Sequence, residues 1–221
     1  MKREVLESDL KKLYSANDMA KIGCGGCKGC WDCCTGMGES IVLDPMDIWR
    51  LEKGLHTSFS GLMERCLELH PVDGILLPNL RMEGEAEQCP FLNMEKRCAI
   101  HAFRPGLCRM FPLGRIYENG SFRYFVQQQE CRIQPKTKVK ISKWLDMEQL
   151  TQYETFVLEW HKLLEDAGAL LLSQNDEQLT KDLNVYLLES FYQKPYDGRD
   201  FYVQFAERLR YMRKLMEILG R

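Results

Sequence analysis

Half of the 10 cysteines of this 221-residue chain fall within one short segment that is also rich in glycine. The segment contains Cys24, Cys27, Cys30, Cys33 and Cys34, with glycines at positions 23, 25, 26 and 29. Helices and strands direct successive side chains differently, so only a looped backbone can direct several thiolates at one centre. Glycine permits such a loop because it adopts positive φ angles and lets the backbone approach a bound ion closely. The segment therefore indicates a metal site.

A second group of cysteines follows a polar loop at residues 84–88. It consists of Cys89, Cys98 and Cys108, with Cys131 some distance beyond them. Prolines at positions 90, 105 and 112 fix turns between these residues. The apolar residues expected to shield the site from water are Phe91, Ile100, Phe103 and Phe111. Arg104 and Arg109 flank Cys108, and we expect them to offset the negative charge of clustered thiolates.

Three kinds of chemistry fit these cysteines. Structural zinc takes four tetrahedral thiolate or imidazole ligands, often from Cys-x2-Cys pairs. An iron–sulfur cluster also takes four cysteines. Two residues separate Cys24 from Cys27 and Cys27 from Cys30, and this spacing, with a distant Cys89-Pro90, resembles that of ferredoxins. A reactive thiol pair needs instead an accessible thiolate with a lowered pKa. Spacing alone does not separate zinc from iron–sulfur, but the scarcity of histidine favours the cluster.

The N-terminus lacks the apolar segment of a secretion signal, and no later run is long enough to span a bilayer. We therefore expect a cytoplasmic protein without membrane association, in which cysteines serve as ligands or redox groups and not as disulfides. The net charge of -2 argues against bulk electrostatic binding of nucleic acid.

Roughly residues 24–131 resemble the YkgJ-like cysteine-cluster proteins, which are described as zinc- or iron-chelating. The resemblance is carried by the Cys-x2-Cys-x2-Cys-Cys run from Cys27, by Cys-Pro-Phe-Leu from Cys89, and by Cys-x-Ile-His-x-x-Arg-Pro-x-x-Cys-Arg from Cys98. It implies eight metal ligands, which are Cys27, Cys30, Cys33, Cys34, Cys89, Cys98, Cys108 and Cys131. Eight thiolates suffice for two four-coordinate sites, or for one cluster with a second metal or redox pair.

Four residues depart from the family's pattern. Trp31 stands where glycine is common. Cys24 extends the two-residue spacing of the cysteines toward the N-terminus and is a candidate for a further ligand. Cys66 falls on the apolar side of a predicted helix, and we interpret it as a small buried hydrophobe. His101 stands where tyrosine is common, and we interpret it as a hydrogen-bonded core histidine, with an outer-sphere donor or a replacement ligand as alternatives.

The favoured hypothesis is a metal-binding protein that holds an iron–sulfur cluster and supports redox or modification chemistry. The first alternative is a zinc-stabilised interaction module. The second follows from the similar cysteine cluster of flagellin lysine N-methylases, which implies S-adenosylmethionine-dependent methylation of a protein or peptide. The sequence has no Gly-x-Gly-x-x-Gly segment and no Cys-x3-Cys-x2-Cys radical signature. Whether the chain is an enzyme is left open.

Apolar spacing predicts an α+β fold, in which an irregular cysteine-rich part with a small hairpin precedes C-terminal helices. Helices are predicted at 2–20, from Asp44-Pro45 to about 54, at 58–69, and around 150–164, 179–191 and 201–219. Extended segments are predicted at 40–43 and 74–82, and a hairpin at 113–117 and 122–126 turns at Asn119-Gly120. We expect residues 1–143 to form the metal-binding domain and residues 144–221 to form a helical part packed on it.

Two further features bear on partners. Residues 132–143 carry lysines at 136, 138, 140 and 143, which we interpret as a solvated alternating strand or connector, with a polyanion-binding patch as the alternative. The aromatic residues of the C-terminal helices are interpreted as core. The alternative is a groove on these helices that binds a protein or peptide.

Overall fold

The structure is a computed structural model that describes residues 5–23, 25, 30–131, 134, 136–198 and 200–220. As predicted, the chain is an α+β protein. Its helices are α1 Glu7–Leu10, α2 Pro45–Leu55, α3 Phe59–Arg65, α4 Gly106–Met110, α5 Ile141–Leu145, α6 Leu150–Gln174, α7 Glu177–Leu188 and α8 Phe201–Leu219. Its strands are β1 Met19–Gly23, β2 Leu67–Val72, β3 Ile75–Leu80, β4 Leu113–Glu118, β5 Ser121–Val126 and β6 Thr137–Lys140. They pair as β1 with β6, β2 with β3 and β4 with β5.

The chain divides into two compact units, and neither is a single stretch of sequence. The cysteine unit comprises Met1–Val42 and Leu80–Tyr153, and the helical unit comprises Leu43–Asn79 and Glu154–Arg221. This division differs from the expected boundary at residue 143, because α2, α3 and β2 fall in the helical unit. Polar contacts join the segment 43–79 to the helices of this unit: Asn184 on α7 accepts a hydrogen bond from Leu76 N in β3 at 2.6 Å, and the Tyr192 hydroxyl donates to Leu43 O at 3.0 Å.

The core of the cysteine unit lies between the two antiparallel strand pairs and the short helices α4 and α5. Its buried members are Ala20, Ile22, Met110, Leu113, Tyr124, Val126, Ile141 and Leu145. The predicted hairpin of β4 and β5 is confirmed, and both turn residues, Asn119 and Gly120, have positive φ angles of 52° and 69°. Asparagine and glycine are the residues that accept this conformation most readily.

The helix predicted at residues 2–20 was wrong. In the described part of that segment, α1 is a single turn that ends at Leu10, and the apolar Val5 and Leu6 are exposed. Tyr14 and Tyr124 exchange two main-chain hydrogen bonds of 2.8 Å, and Asp18 accepts a bond of 2.6 Å from Ser15 N. Pairing with a distant strand and a local turn therefore replace the helix that the apolar spacing favoured.

The helix predicted at 58–69 is also too long, since α3 ends at Arg65 and β2 begins at Leu67. β2 pairs with β3, which confirms the extended prediction for 75–80. Asp73 and Gly74 connect them with φ angles of 50° and 84°. Asp-Gly between apolar runs is a typical hairpin signal, and this hairpin was not predicted. The segment predicted as a strand at 40–43 begins instead in a 3-10 turn, Gly38–Ser40.

Aromatic side chains form the core of the helical unit, which confirms the interpretation of these residues. The rings of Phe156 and Phe205 lie 4.6 Å apart, and those of Trp160 and Phe191 lie 5.0 Å apart. The three predicted C-terminal helices are α6, α7 and α8, and α7 continues through a π-helical turn, Glu189–Gln193. No helix in the described ranges combines the length and the apolar character needed to span a membrane.

The start of α2 follows the sequence signal at Asp44-Pro45. Asp44 accepts a hydrogen bond from Asp47 N at 2.9 Å, and Asp47 accepts one from Asp44 N at 3.3 Å. We expect Asp44→Ala to lower the free energy of unfolding by about 1 kcal/mol, since the Asp47 N–H group loses its capping acceptor. Asp44→Asn keeps an acceptor and should lose much less. Urea denaturation measures both, and equal losses would contradict the capping explanation.

Candidate metal centre

The segment that contains Cys33 and Cys34 is held against the segment that begins at Cys89. Cys33 and Cys34 lie in a 3-10 turn, Asp32–Cys34, closed by a hydrogen bond of 2.8 Å from Cys34 N to Trp31 O. Cys89 N donates to Cys34 O at 2.8 Å, and Thr35 forms an antiparallel bridge with Gln88. Two groups of cysteines that are far apart in sequence therefore share one backbone junction.

A small hairpin brings Cys98 to the same place. Leu92 and Cys98 form an antiparallel bridge, and Asn93 N donates to Arg97 O at 2.9 Å. The Lys96 ammonium lies 4.2 Å from the centroid of the Trp31 ring, which is within the range of a cation–π contact. Trp31 thus attaches the turn that contains Cys33 and Cys34 to this hairpin.

Six of the described cysteines line one cavity of about 170 Å³, which we call the sulfur cavity. They are Cys30, Cys33, Cys34, Cys89, Cys98 and Cys108. Its apolar wall includes Ile100 and Phe111, as predicted, whereas Phe91 and Phe103 are not among the described residues that line it. Leu80 and Trp144 also line the cavity, and they were not predicted. The Trp144 indole donates to the carbonyls of Met110 and Phe111 at 3.2 and 3.1 Å, and no local sequence signal indicates this contact.

Cys34 is the centre of a group of four neighbouring thiols. It is buried, and its Sγ lies 3.8 Å from that of Cys33. Hydrogen bonding with Cys33, Cys89 and Cys98 raises the pKa of Cys34, because Cys34 acts as the donor in these contacts and so retains its proton. The bond from Cys34 correspondingly lowers the pKa of Cys33 and Cys89, and lowers that of Cys98 to about 7. The group therefore stabilises negative charge on its outer sulfurs.

As their side chains stand, no three Cys, His, Asp or Glu residues in the described part of the chain are arranged to hold a metal ion. The four thiols are hydrogen-bonded around Cys34, whereas metal ligands surround a common central point. Their number and type nevertheless match a tetrathiolate site.

The remaining predicted ligands occupy different environments. Burial raises the pKa of Cys30, and the nearby Asp32 carboxylate and Cys131 thiolate contribute to that increase. Cys131 is buried but is not among the described residues that line the sulfur cavity. Cys66 lies in the helical unit and donates to Leu62 O at 3.5 Å, which confirms its interpretation as a buried core residue. Cys24 and Cys27 lie outside the described residues.

The two arginines that flank Cys108 have different contacts. Arg104 donates to His101 O at 2.7 Å and contacts His101 Nδ1 at 3.0 Å, and its charge helps to lower the pKa of Cys33 and Cys98. Arg104 thus has the expected charge-balancing position. His101 is exposed, so its interpretation as a core histidine was wrong. Partial burial, with the charge of Arg104 as a second cause, lowers the pKa of His101.

Arg109 is buried and donates to Asp146 O at 2.9 Å and to Ala102 O at 3.1 Å. We expect Arg109→Met to lower the free energy of unfolding by about 2 kcal/mol, because charge-assisted hydrogen bonds to two carbonyls are lost. Arg104→Met is the matched control and should cost less than about 1 kcal/mol, since its contacts are more exposed. Chemical denaturation of both variants tests this difference, and similar losses would show that Arg109 has no special structural role.

These observations define a class of protein: a small α+β chain in which loops and hairpins gather many cysteines around one cavity. The chain belongs to the CxxCxxCC family, described as "putative zinc- or iron-chelating domain", and the match covers residues 26–149, more than half of its length. No curated protein and no solved structure gave a significant match.

Proposed function

We propose that this chain chelates a single zinc or iron ion in the sulfur cavity, through Cys33, Cys34, Cys89 and Cys98. The observation that carries the proposal is the distance of 3.8 Å between the sulfur atoms of Cys33 and Cys34. Four sulfurs that each lie about 2.3 Å from one tetrahedral ion are about 3.8 Å from one another. Two neighbouring cysteines are therefore already spaced as ligands of the same ion.

The hydrogen bonding among the four thiols supports this assignment. The pKa values of Cys33, Cys89 and Cys98 are lowered, which favours deprotonation, and deprotonated thiolates are the form that binds metal. A divalent ion would offset the negative charge of these sulfurs. Soft thiolate ligands select zinc or iron over the hard cations magnesium and calcium. A bound ion would crosslink the turn at residues 32–34 to the hairpin at 89–98.

An iron–sulfur cluster is the second candidate. The volume of the sulfur cavity, about 170 Å³, and the presence of Cys30 and Cys108 in its wall favour this alternative. In a cubane cluster, however, each cysteine binds a different iron, so its thiolates stand farther apart than two ligands of one ion. The Cys33–Cys34 distance therefore favours a single ion over a cubane cluster, and acid-labile sulfide distinguishes it from a [2Fe–2S] cluster, in which two cysteines bind each iron.

Metal content, acid-labile sulfide and the absorbance spectrum of protein purified without air test both candidates. About one zinc or iron per chain without sulfide would support the single ion. Iron and sulfide in roughly equal amounts, with broad visible absorbance, would support the cluster and reject the single ion. Protein with neither metal nor the ability to take up added zinc or iron would reject both.

We propose a structural role for the metal in the cytoplasm, where thiols remain reduced. Binding of a protein or peptide to the C-terminal helices, as in the interaction-module hypothesis, stays a prediction. So does methylation, which the similar cluster of flagellin lysine N-methylases implies. Incubation with a radiolabelled methyl donor and candidate peptides tests methylation, and failure of the protein to bind the donor would reject it.

A further inference from the structure

β1 and β6 form a two-stranded sheet with two different faces. Ala20 and Val139 pair across the strands and pack toward the core of the cysteine unit. Because side chains alternate along a strand, the residues on either side of Ala20 and of Val139 lie on the opposite face of the sheet. The register places Lys21 directly opposite Lys138 there, and both side chains are exposed.

This lysine face borders a cavity of about 650 Å³, which we call the lysine cavity. Four lysines line it, namely Lys12, Lys21, Lys136 and Lys138. Lys136 is positioned by a hydrogen bond of 3.1 Å to Gln128 O, and the Lys12 ammonium lies 5.0 Å from the centroid of the Tyr14 ring. Among the described residues that line the cavity, none is acidic. Asp18, whose charge acts on Lys12, accepts hydrogen bonds from Ser15 N and Oγ.

Like charges directly opposite each other on an antiparallel pair of strands destabilise that pair. Lys21 and Lys138 have this arrangement, and two more ammonium groups face the same space. A bound anion would remove the repulsion between them. The cavity also has the volume typical of small-molecule sites, and an apolar part formed by Met19 and Val126.

From this cluster of four lysines we propose that the lysine cavity binds a small molecule that carries two or more phosphate groups. Lysine binds phosphate as a compact point charge, and four such charges around one cavity match a multiply charged ligand. The proposal goes beyond metal chelation and does not depend on which metal is bound.

A single-stranded nucleic acid would have the same phosphate charge but would need further contacts. Such sites combine basic grooves with successive aromatic side chains on which bases stack. Tyr14 is the one aromatic residue among the described residues that line this cavity, and Lys12 already lies over its ring. We therefore favour a small phosphorylated molecule and treat nucleic acid as an outcome of the test.

Isothermal titration of the metal-loaded protein with pyrophosphate at physiological ionic strength tests the proposal. We expect saturable binding, and a loss of affinity of at least about tenfold in the variant Lys21→Gln/Lys138→Gln, because charged contacts are lost on both strands. The matched control is Lys140→Gln/Lys143→Gln, which removes the same charge from the same segment at residues that do not line the cavity. Its affinity should change by less than about twofold.

A further variant keeps the test independent of misfolding. Lys21→Glu places opposite charges across the strands, so it should raise the melting temperature and yet weaken pyrophosphate binding. Absence of saturable pyrophosphate binding to the wild-type protein would overturn the proposal, as would equal losses of affinity in the control. Tighter binding of an oligonucleotide of about ten bases than of pyrophosphate, with the same sensitivity to Lys21 and Lys138, would overturn it in favour of nucleic acid.

Discussion

Cys34→Ser is expected to abolish stable metal binding. Cys34 is the thiol that contacts the other three members of the proposed ligand set, and serine replaces its soft sulfur with a hydroxyl that zinc and iron bind poorly. Loss of an outer-sphere partner alone typically lowers metal affinity about tenfold to a hundredfold, so loss of a direct ligand should lower it by more. Metal analysis after dialysis against a weak chelator measures the effect.

Cys66→Ser is the matched control for Cys34→Ser. Cys66 is equally buried, but it lies in the helical unit and donates to a main-chain carbonyl, a bond that serine retains. Its metal content should equal that of the wild type. Cys30→Ser and Cys108→Ser should also retain the metal if a single ion is held by the four proposed cysteines. Full metal content in Cys34→Ser would contradict the assignment.

Removal of the metal is expected to unfold much of the cysteine unit and to spare the helical unit. Residues 81–112 contain a single turn of 3-10 helix, the short helix α4 and isolated bridges, so they have few regular hydrogen bonds of their own. Structural zinc in small domains binds with an apparent free energy of about 10–16 kcal/mol, which is then part of the folding free energy. The helical unit has an aromatic core that does not involve the cysteines.

Hydrogen exchange with and without a strong chelator measures this difference by segment. Peptides from residues 81–112 should lose their protection, whereas peptides from α6, α7 and α8 should keep theirs, with little change in helical circular dichroism. Re-addition of zinc or iron should restore protection at 81–112. Unchanged exchange in that segment after complete metal removal would contradict a structural role for the metal.

Several features could be predicted from sequence because a local signal determines them. Asp44 accepts a hydrogen bond from a free N–H group at the start of α2, where Pro45 has no N–H to satisfy, and Asn119-Gly120 supplies the two positive φ angles of its hairpin turn. The three C-terminal helices have apolar faces long enough to be recognised from their spacing. In the candidate metal centre, the residue type alone indicated cysteine as the ligand, since few other roles explain so many thiols in so short a segment.

Other features depended on contacts between distant segments. The apolar spacing of residues 2–20 suits a helix, but main-chain bonds to Tyr124 draw Tyr14 into an extended pairing instead. Spacing also could not show which cysteines meet, because Cys34 has its neighbours at Cys89 and Cys98, and a separate hairpin brings each of these to it. Likewise, the register of β1 with β6 places Lys21 against Lys138. Sequence thus determined the chemistry and the local turns, whereas tertiary pairing decided which chemical groups share one site, because proximity depends on long-range backbone contacts.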